Sequence, residues 1–256
     1  MADLPGYVIL GRGRWAERMG AILAGQGRTA RFLGETRQRK DEDAEEYRSR
    51  LFAEMKASGA HVAWLCVPPG EHIGMMLGAA LDAGLHVVAE QPWLVTVEET
   101  SRWMVQAKSM GRVVGVHYEY CLLGELENWR REYGGGAGLR FHGVFHHSRS
   151  GHLGFPAMDV LGTHLLSMRE YAVPDSVVEQ IDCGYELADA RRVWLNDDGR
   201  RVATIDFLES AEPLIQQYVS RLEAAMESGE FMFDLKFAAR VGEEAARLRQ
   251  AIETRS

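Results

Sequence analysis

The stretch that most constrains this chain is "YVILGRGRWAERMGAILAG", residues 7–25. Residues 7–10 form a short, continuous apolar run of the kind a strand covered on both faces requires. From Trp15 onward, Met19, Ile22 and Leu23 recur at helical spacing, with Gly25 as a stop. Between the two stand Gly11-x-Gly13-x-x-Ala16. In that spacing Gly11 allows a tight turn, Gly13 lets the backbone approach a diphosphate, and Ala16 lets the helix lie close to the strand. The N-terminus of the helix then offers its unpaired N–H groups to an anion.

Strand, glycine turn and helix in that order separate the pattern from a chance glycine-rich loop. It predicts a dinucleotide site, with Gly11, Gly13, Arg14 and Trp15 against the cofactor. The nicotinamide form is decided at the end of the second strand, in "FLGETRQRK", residues 32–40. Glu35 is placed to bind ribose hydroxyls, which would favour NAD. Thr36, Arg37, Arg39 and Lys40 could hold a 2′-phosphate, and the positive local charge favours NADP with NAD still possible.

The rest of the first half alternates. "TARFLG" (29–34), "HVAWLCV" (61–67), "LHVVA" (85–89) and "RVVGVHY" (112–118) read as strands. A charged helix over 41–59 buries Tyr47, Leu51, Phe52 and Met55, and one over 68–84 buries Ile73, Met76, Leu77, Ala80 and Leu81. Thr96 and Glu99 have capping-box spacing ahead of a helix that ends near Gly111. This rhythm predicts an α/β fold, with a doubly wound parallel Rossmann sheet over residues 1–118.

Past residue 118 the rhythm changes. "YGGGAG" (133–138) is a turn, 139–149 a long strand, 157–171 a helix, and 176–187 a strand. Residues 191–208 form a hairpin turning at Asp198-Gly199, and helices follow near 212–228 and 234–253. Residues 119–256 therefore read as a smaller α+β domain with a mostly antiparallel sheet.

A formal charge of −8 argues against nucleic acid or an anionic membrane as partner. The apolar runs fall short of the roughly 20 residues of a membrane helix. "MADLPGYVIL" is not the pattern of a signal peptide. Cys66, Cys121 and Cys183 are widely spaced, which argues against disulfides or a thiolate zinc site and for the cytoplasm. His142, His146, His147, His152 and His164 cluster in sequence without ligand spacing, so no metal is expected and some of them are candidates to line a substrate site.

"CVPPGEHIGMMLGAALDAGLHVVAEQP", residues 66–92, resembles the glucose–fructose oxidoreductase / inositol dehydrogenase (Gfo/Idh/MocA) family. Pro68, Pro69, His72, Ala83, Gly84, His86, Val87, Glu90 and Pro92 match its pattern. The resemblance implies that Pro68 and Pro69 pass near the adenosine and phosphates, and that the strand ending at Glu90 borders the nicotinamide. "GFPAMDVLGTHLLSMREY" (154–171) resembles the family's Asp-x-Gly-x-His-x-x-Asp helix, whose histidine and aspartate sit beside the substrate. His164 and Gly162 match, Asp159 lies one residue too far upstream, and Ser167 replaces the final aspartate. On a regular helix Asp159 and His164 would stand about 140° apart. The closing helices also resemble the family's, in which the chain returns to the first domain. Members are usually longer, which implies trimmed substrate loops and a small-molecule substrate other than a typical free sugar. A homodimer or tetramer is implied as well.

The departure that matters most is Gln91, which stands where the family carries the lysine of Glu-Lys-Pro. Hydride arrival at a carbonyl leaves charge on oxygen, which an ammonium stabilises and can protonate. Gln91 donates a neutral hydrogen bond but gives up no proton at pH 7. His164, Tyr118 and Tyr120 are the other candidate acids, with Asp159 beside them. The main expectation is an NAD(P)-dependent oxidoreductase of a small C=O/C–OH substrate. The alternatives are an NADPH-dependent imine reductase, whose substrate needs less acid assistance, and a dinucleotide-binding protein without turnover.

Overall fold

The computed structural model describes residues 4–70, 72–148, 154–185, 188–207 and 211–254. The chain divides into two compact units, Met1–His117 with Ile215–Ala239, and Tyr118–Leu214 with Arg240–Ser256.

In the first unit the strands are β1 (Tyr7–Leu10), β2 (Ala30–Phe32), β3 (Val62–Leu65), β4 (His86–Glu90) and β5 (Val114–His117). They form one parallel sheet in the order β2-β1-β3-β4-β5. Every residue of β1, β3 and β5 is buried, as continuous apolar runs demand when helices cover both faces. The crossovers are α1 (Arg14–Gly25), α2 (Ala44–Ser58), α3 (His72–Asp82) and α4 (Val97–Ser109).

Asp43 caps α2 by accepting from the Glu45 and Glu46 amides, and the Glu46 side chain closes the box. Gly59, in the left-handed conformation, ends it. Tyr47, Leu51 and Met55, four residues apart, carry the burial of α2. Phe52 was expected with them but lies one position off that stripe and is 37% exposed. The Thr96 cap is half a box. Its hydroxyl accepts from the Glu99 amide, but the Glu99 carboxylate takes the hydroxyl proton rather than the backbone N–H.

The chain returns to this unit late. α7 (Glu212–Ser228) from Ile215 onward and the segment to Ala239 belong to it, whereas α8 (Leu235–Glu253) continues past Ala239 in the second unit. The returning segment is tied down by polar groups. Arg28 makes two bonds of 2.6 Å to Glu223, which also accepts from the Tyr7 hydroxyl at 2.7 Å. Tyr218 donates to the Val116 carbonyl at 2.9 Å, and the Val116 amide to Phe233 at 3.0 Å. A single antiparallel bridge, Gly115 to Asp234, covers the β5 edge. Gly115 has to be glycine there, because a Cβ would stand 2.5 Å from the Phe233 carbonyl oxygen.

The second unit contains α5 (Gly124–Tyr133), α6 (Thr163–Ala172) and a sheet of β6 (Arg140–His146), β7 (Val177–Gly184), β8 (Ala190–Asp197) and β9 (Arg200–Asp206). Its order is β7-β6-β8-β9. β8 pairs antiparallel with β6 and β9, but β7 pairs parallel with β6, so the sheet is mixed. α6 is the reason, since a strand reached through a helical crossover returns parallel to its predecessor. The β8–β9 turn has positive φ at both Asp198 and Gly199, as a two-residue hairpin of matching twist requires. Among the described residues no helix is long and apolar enough to cross a membrane.

Candidate functional site: a glycine turn and two polar clusters

The glycine turn distinguishes its two glycines. Gly11 has φ +131°, and a Cβ there would stand 2.2 Å from the Cys66 carbonyl oxygen at the end of β3. Gly11 is needed because the turn presses against the neighbouring strand. Gly13 is the N-cap of α1, with φ −79°, ψ 167° and no side-chain cap. A Cβ there would have nothing within 4 Å. Gly13 is thus dispensable for the fold and leaves the start of α1 open, as a diphosphate requires. Ala16 is buried, and one turn further on Gly20 is closely covered too, since a Cβ there would meet the Phe32 ring at 2.7 Å. Arg14 is exposed, and Trp15 stacks on His117 at 6.2 Å.

The loop after β2 is laced from behind. Arg50 donates to the carbonyls of Glu35 and Arg37 and pairs with Glu42 at 2.7 Å, which holds the Glu42 carboxyl down near 2. The Tyr47 hydroxyl donates to the Thr36 carbonyl, and the Tyr47 ring meets His72 edge-on at 5.8 Å. The Glu35 carboxylate is engaged by Arg39 at 2.8 Å. Arg37 and Lys40 are exposed. Arg12, which the sequence reading did not single out, donates to the Gly34 carbonyl and links this loop to the glycine turn. Pro68 is exposed and Pro69 half-buried just before α3, whose first residue, His72, is exposed.

At the C-terminal end of β4, Glu90 accepts from Trp64 Nε1 at 2.7 Å and lies 3.2 Å from His117 Nδ1. His117 sits opposite Glu90 in the β4–β5 register and is fully buried. Its ring meets Trp64 at 5.2 Å and Tyr218 at 4.6 Å, both edge-on. Burial, and then the Glu90 charge, push the Cys66 thiol well up, so it stays protonated. Gln91 is half-buried at the strand end, Pro92 is buried, and the bond between them is cis. Trp64 and His117 were missed in the sequence. The available signal was a histidine closing an otherwise apolar strand next to the strand that ends in Glu90.

In the second unit His164 lies in the first turn of α6, half-buried, with its ring 5.1 Å from Tyr120 and 5.2 Å from Phe145. Phe207 completes the cluster at 5.1 and 5.6 Å from those two rings. Tyr118 is buried, and burial raises its phenol far above the ordinary value, so it holds its proton. Asp159 and His164 do not lie on one regular helix. Met158–Gly162 form a π turn, which takes one residue more than an α turn. The surplus residue of the Asp159–His164 spacing is thereby absorbed, and the 140° of a regular helix does not apply. Asp159 is 4% exposed and pairs with Arg249 of α8. Ser167, in the place of the final aspartate, donates to the His164 carbonyl at 2.8 Å.

The other histidines go elsewhere. His142 lies 3.0 Å from Glu179 and stacks on Trp194, while His146 lies 3.2 Å from Asp182. Both point to the sheet face opposite Phe145, as alternation along β6 dictates. His152 lies outside the described residues. Among the described residues no three metal-ligating side chains converge.

A family model described as an oxidoreductase family with an NAD-binding Rossmann fold, GFO_IDH_MocA, matches residues 6–118. No protein with a curated description matches the chain. Among solved structures, UDP-N-acetylglucosamine 3-dehydrogenase GnnA from Acidithiobacillus ferrooxidans is similar at 14% identity and TM-score 0.72, covering 96% of this chain and 97% of that one. An inositol dehydrogenase homolog from Azotobacter vinelandii, complexed with NAD+, is 15% identical at TM-score 0.71, covering 96% and 94%. The WlbA dehydrogenase from Thermus thermophilus, in complex with NAD and UDP-GlcNAcA, is 15% identical at TM-score 0.71, covering 96% and 95%. At such identity the likeness is one of fold. The match over residues 6–118, which include the open start of α1, shows that the N-terminal part of the chain resembles the NAD-binding Rossmann fold of the Gfo/Idh/MocA oxidoreductases.

Proposed function

We propose that this chain is an NAD(P)-dependent oxidoreductase that moves hydride between a nicotinamide and a C=O/C–OH centre of a small molecule, with NADP preferred. The observation that carries the reading is the contrast between the two glycines. One is demanded by the fold, and at the other a Cβ would meet nothing, which leaves the start of α1 open to a ligand. The bound dinucleotide supplies or accepts the hydride. The α1 amides hold its diphosphate, with Arg14 and Trp15 alongside. Glu35 is already engaged by Arg39, which leaves Thr36 and the exposed Arg37 to meet a 2′-phosphate. Pro68, Pro69 and His72 line the adenosine side.

Glu90, braced by Trp64 and His117, fixes the end of β4 and with it the Gln91–Pro92 step. Gln91 orients the substrate oxygen by a neutral hydrogen bond, and His164 gives or takes the proton. Tyr118 keeps its proton and acts by packing, while Asp159, neutralised by Arg249, positions the start of α6. The ligand named with the Thermus thermophilus dehydrogenase supports a polyhydroxylated or oxo substrate. We also place the protein in the cytoplasm, as a homodimer or tetramer. Gln91 favours one second reading, reduction of an imine, because a protonated C=N accepts hydride with less help from an acid.

Titration with NADPH and NADH, read by nicotinamide fluorescence, tests the first step. Saturable binding with NADPH at least about tenfold tighter is expected. No binding of either would sink the reading, and tighter NADH would reverse the preference. Turnover of ketones or of cyclic imines then separates the two reactions. Under the carbonyl reading Gln91→Lys keeps or raises the ketone rate, and His164→Ala lowers kcat by about 100-fold. Unchanged turnover in His164→Ala would remove it from the mechanism.

A further inference from the structure

We infer that the aromatic cluster around His164 takes a substrate bearing a carboxylate, with Arg191 as its anchor. This rests on the reading of His164 as the substrate-side acid. Arg191 opens onto the cluster because it is the cross-strand partner of Phe145 in the β6–β8 register. Its guanidinium lies 5.2 Å over the Phe145 ring and donates to the Tyr120 hydroxyl oxygen at 2.9 Å. Its Nε is buried with no partner among the described residues.

Four other half-buried arginines, Arg28, Arg50, Arg169 and Arg249, each hold a carboxylate. Arg191 has none among the described residues. Arg112 is the remaining case, and it sits beside His86, the first residue of β4. A guanidinium that has given up water for aromatic surface and one neutral oxygen lacks its counter-charge. The cation lies within about 10 Å of the imidazole, since both stand 5.2 Å from the Phe145 ring. Tyr120, Phe145 and Phe207 are buried, whereas His164 and Arg191 keep part of their surface in solvent. Solvent therefore reaches the Arg191 and His164 side chains but not the packing between them. One planar cation matches one carboxylate in charge and in fork geometry. In a chain of net charge −8, this cluster carries a cation, an imidazole and no described acid of its own.

The test compares small 2-oxo acids with their methyl esters in NADPH oxidation by wild type, Arg191→Gln and Arg191→Lys. A charge-assisted bond of this kind predicts a wild-type kcat/KM ratio of acid to ester of about 10 to 100. That ratio should fall to near one in Arg191→Gln and recover partly in Arg191→Lys. Equal rates on acids and esters in wild type, or a ratio kept in Arg191→Gln, would overturn the inference. A second measurement needs no turnover: saturation-transfer NMR with succinate against dimethyl succinate and inorganic phosphate. Succinate binding that weakens about tenfold or more in Arg191→Gln supports the anchor even if no oxo acid is reduced, and the reaction reading then fails alone. Succinate binding that is absent, or equal in both proteins, or a site that prefers phosphate, defeats the carboxylate anchor.

Discussion

Gly11→Ala and Gly13→Ala sit two residues apart in one motif and should fail in opposite ways. At Gly11 the substitution meets two costs. A φ of +131° is a region L-residues rarely adopt, worth roughly 1–3 kcal/mol. The new methyl would also stand 2.2 Å from the Cys66 carbonyl oxygen, a backbone atom of the sheet that cannot swing aside, worth another 1–3 kcal/mol or so. A total near 4 kcal/mol lowers the melting temperature by about 8–16 °C for a chain of this size. At Gly13 the backbone is already extended and the methyl meets nothing. A slightly poorer N-cap and a less flexible unfolded chain offset each other to within about 1 kcal/mol. The melting temperature should hold within about 3 °C. Under the proposed dinucleotide reading, however, the same methyl would stand between the α1 amides and the diphosphate. Loss of one charge-assisted bond, about 1.5–3 kcal/mol, weakens NADPH by roughly 10- to 100-fold. Thermal melts paired with nicotinamide fluorescence titrations separate the two quantities. The reasoning is refuted if Gly13→Ala keeps wild-type affinity, or if Gly11→Ala melts within 2–3 °C of wild type.

Other consequences can be checked in the same way. His86 is 6% exposed and accepts from the Val113 amide; burial, then the Arg112 charge and His61, hold its imidazole down at about 4. The unfolded chain takes up that proton near 6.5 and the folded chain only near 4, so stability falls as pH drops through this window and levels off below it. Urea unfolding should lose about 2 kcal/mol between pH 7.5 and 5 from this group, and His86→Asn, which keeps an acceptor, should remove that part of the slope. Arg249→Ala strands the buried Asp159 carboxylate and should cost about 2–3 kcal/mol in unfolding free energy. Arg247→Ala breaks a 2.6 Å pair with Glu244 but should cost under about 0.5 kcal/mol, because Arg247 is 62% exposed. Equal costs for the two variants would contradict the weight placed on burial.

Much of the fold can be read without coordinates, and the reason is local. Continuous apolar runs of four or five residues gave β1, β3, β4 and β5, and four-residue spacing gave the buried stripe of α2. The two-residue turn at Asp198-Gly199 followed from the residues that tolerate positive φ. The misses mark where locality ends. Phe52 carries the right chemistry but a helical phase one step off the buried stripe. The parallel pairing of β7 with β6 depends on which way a crossover returns the chain, and no strand pattern encodes that.

The site divides along the same line. By itself, the sequence determined the glycine turn at the start of α1, the oddity of Gln91, and His164 as a candidate acid, because motif spacing and side-chain chemistry are properties of short segments. Only tertiary structure decided what those residues touch. Glu90 meets His117 through strand register, 27 residues away. Asp159 finds Arg249 across 90 residues, and a π turn absorbs the surplus residue of its motif. Tyr7 is held by Glu223, 216 residues on, in a segment that returns to the first unit. Such pairs are set by packing free energy summed over the whole chain, and each offsets a loop-closure entropy that no short stretch of sequence records.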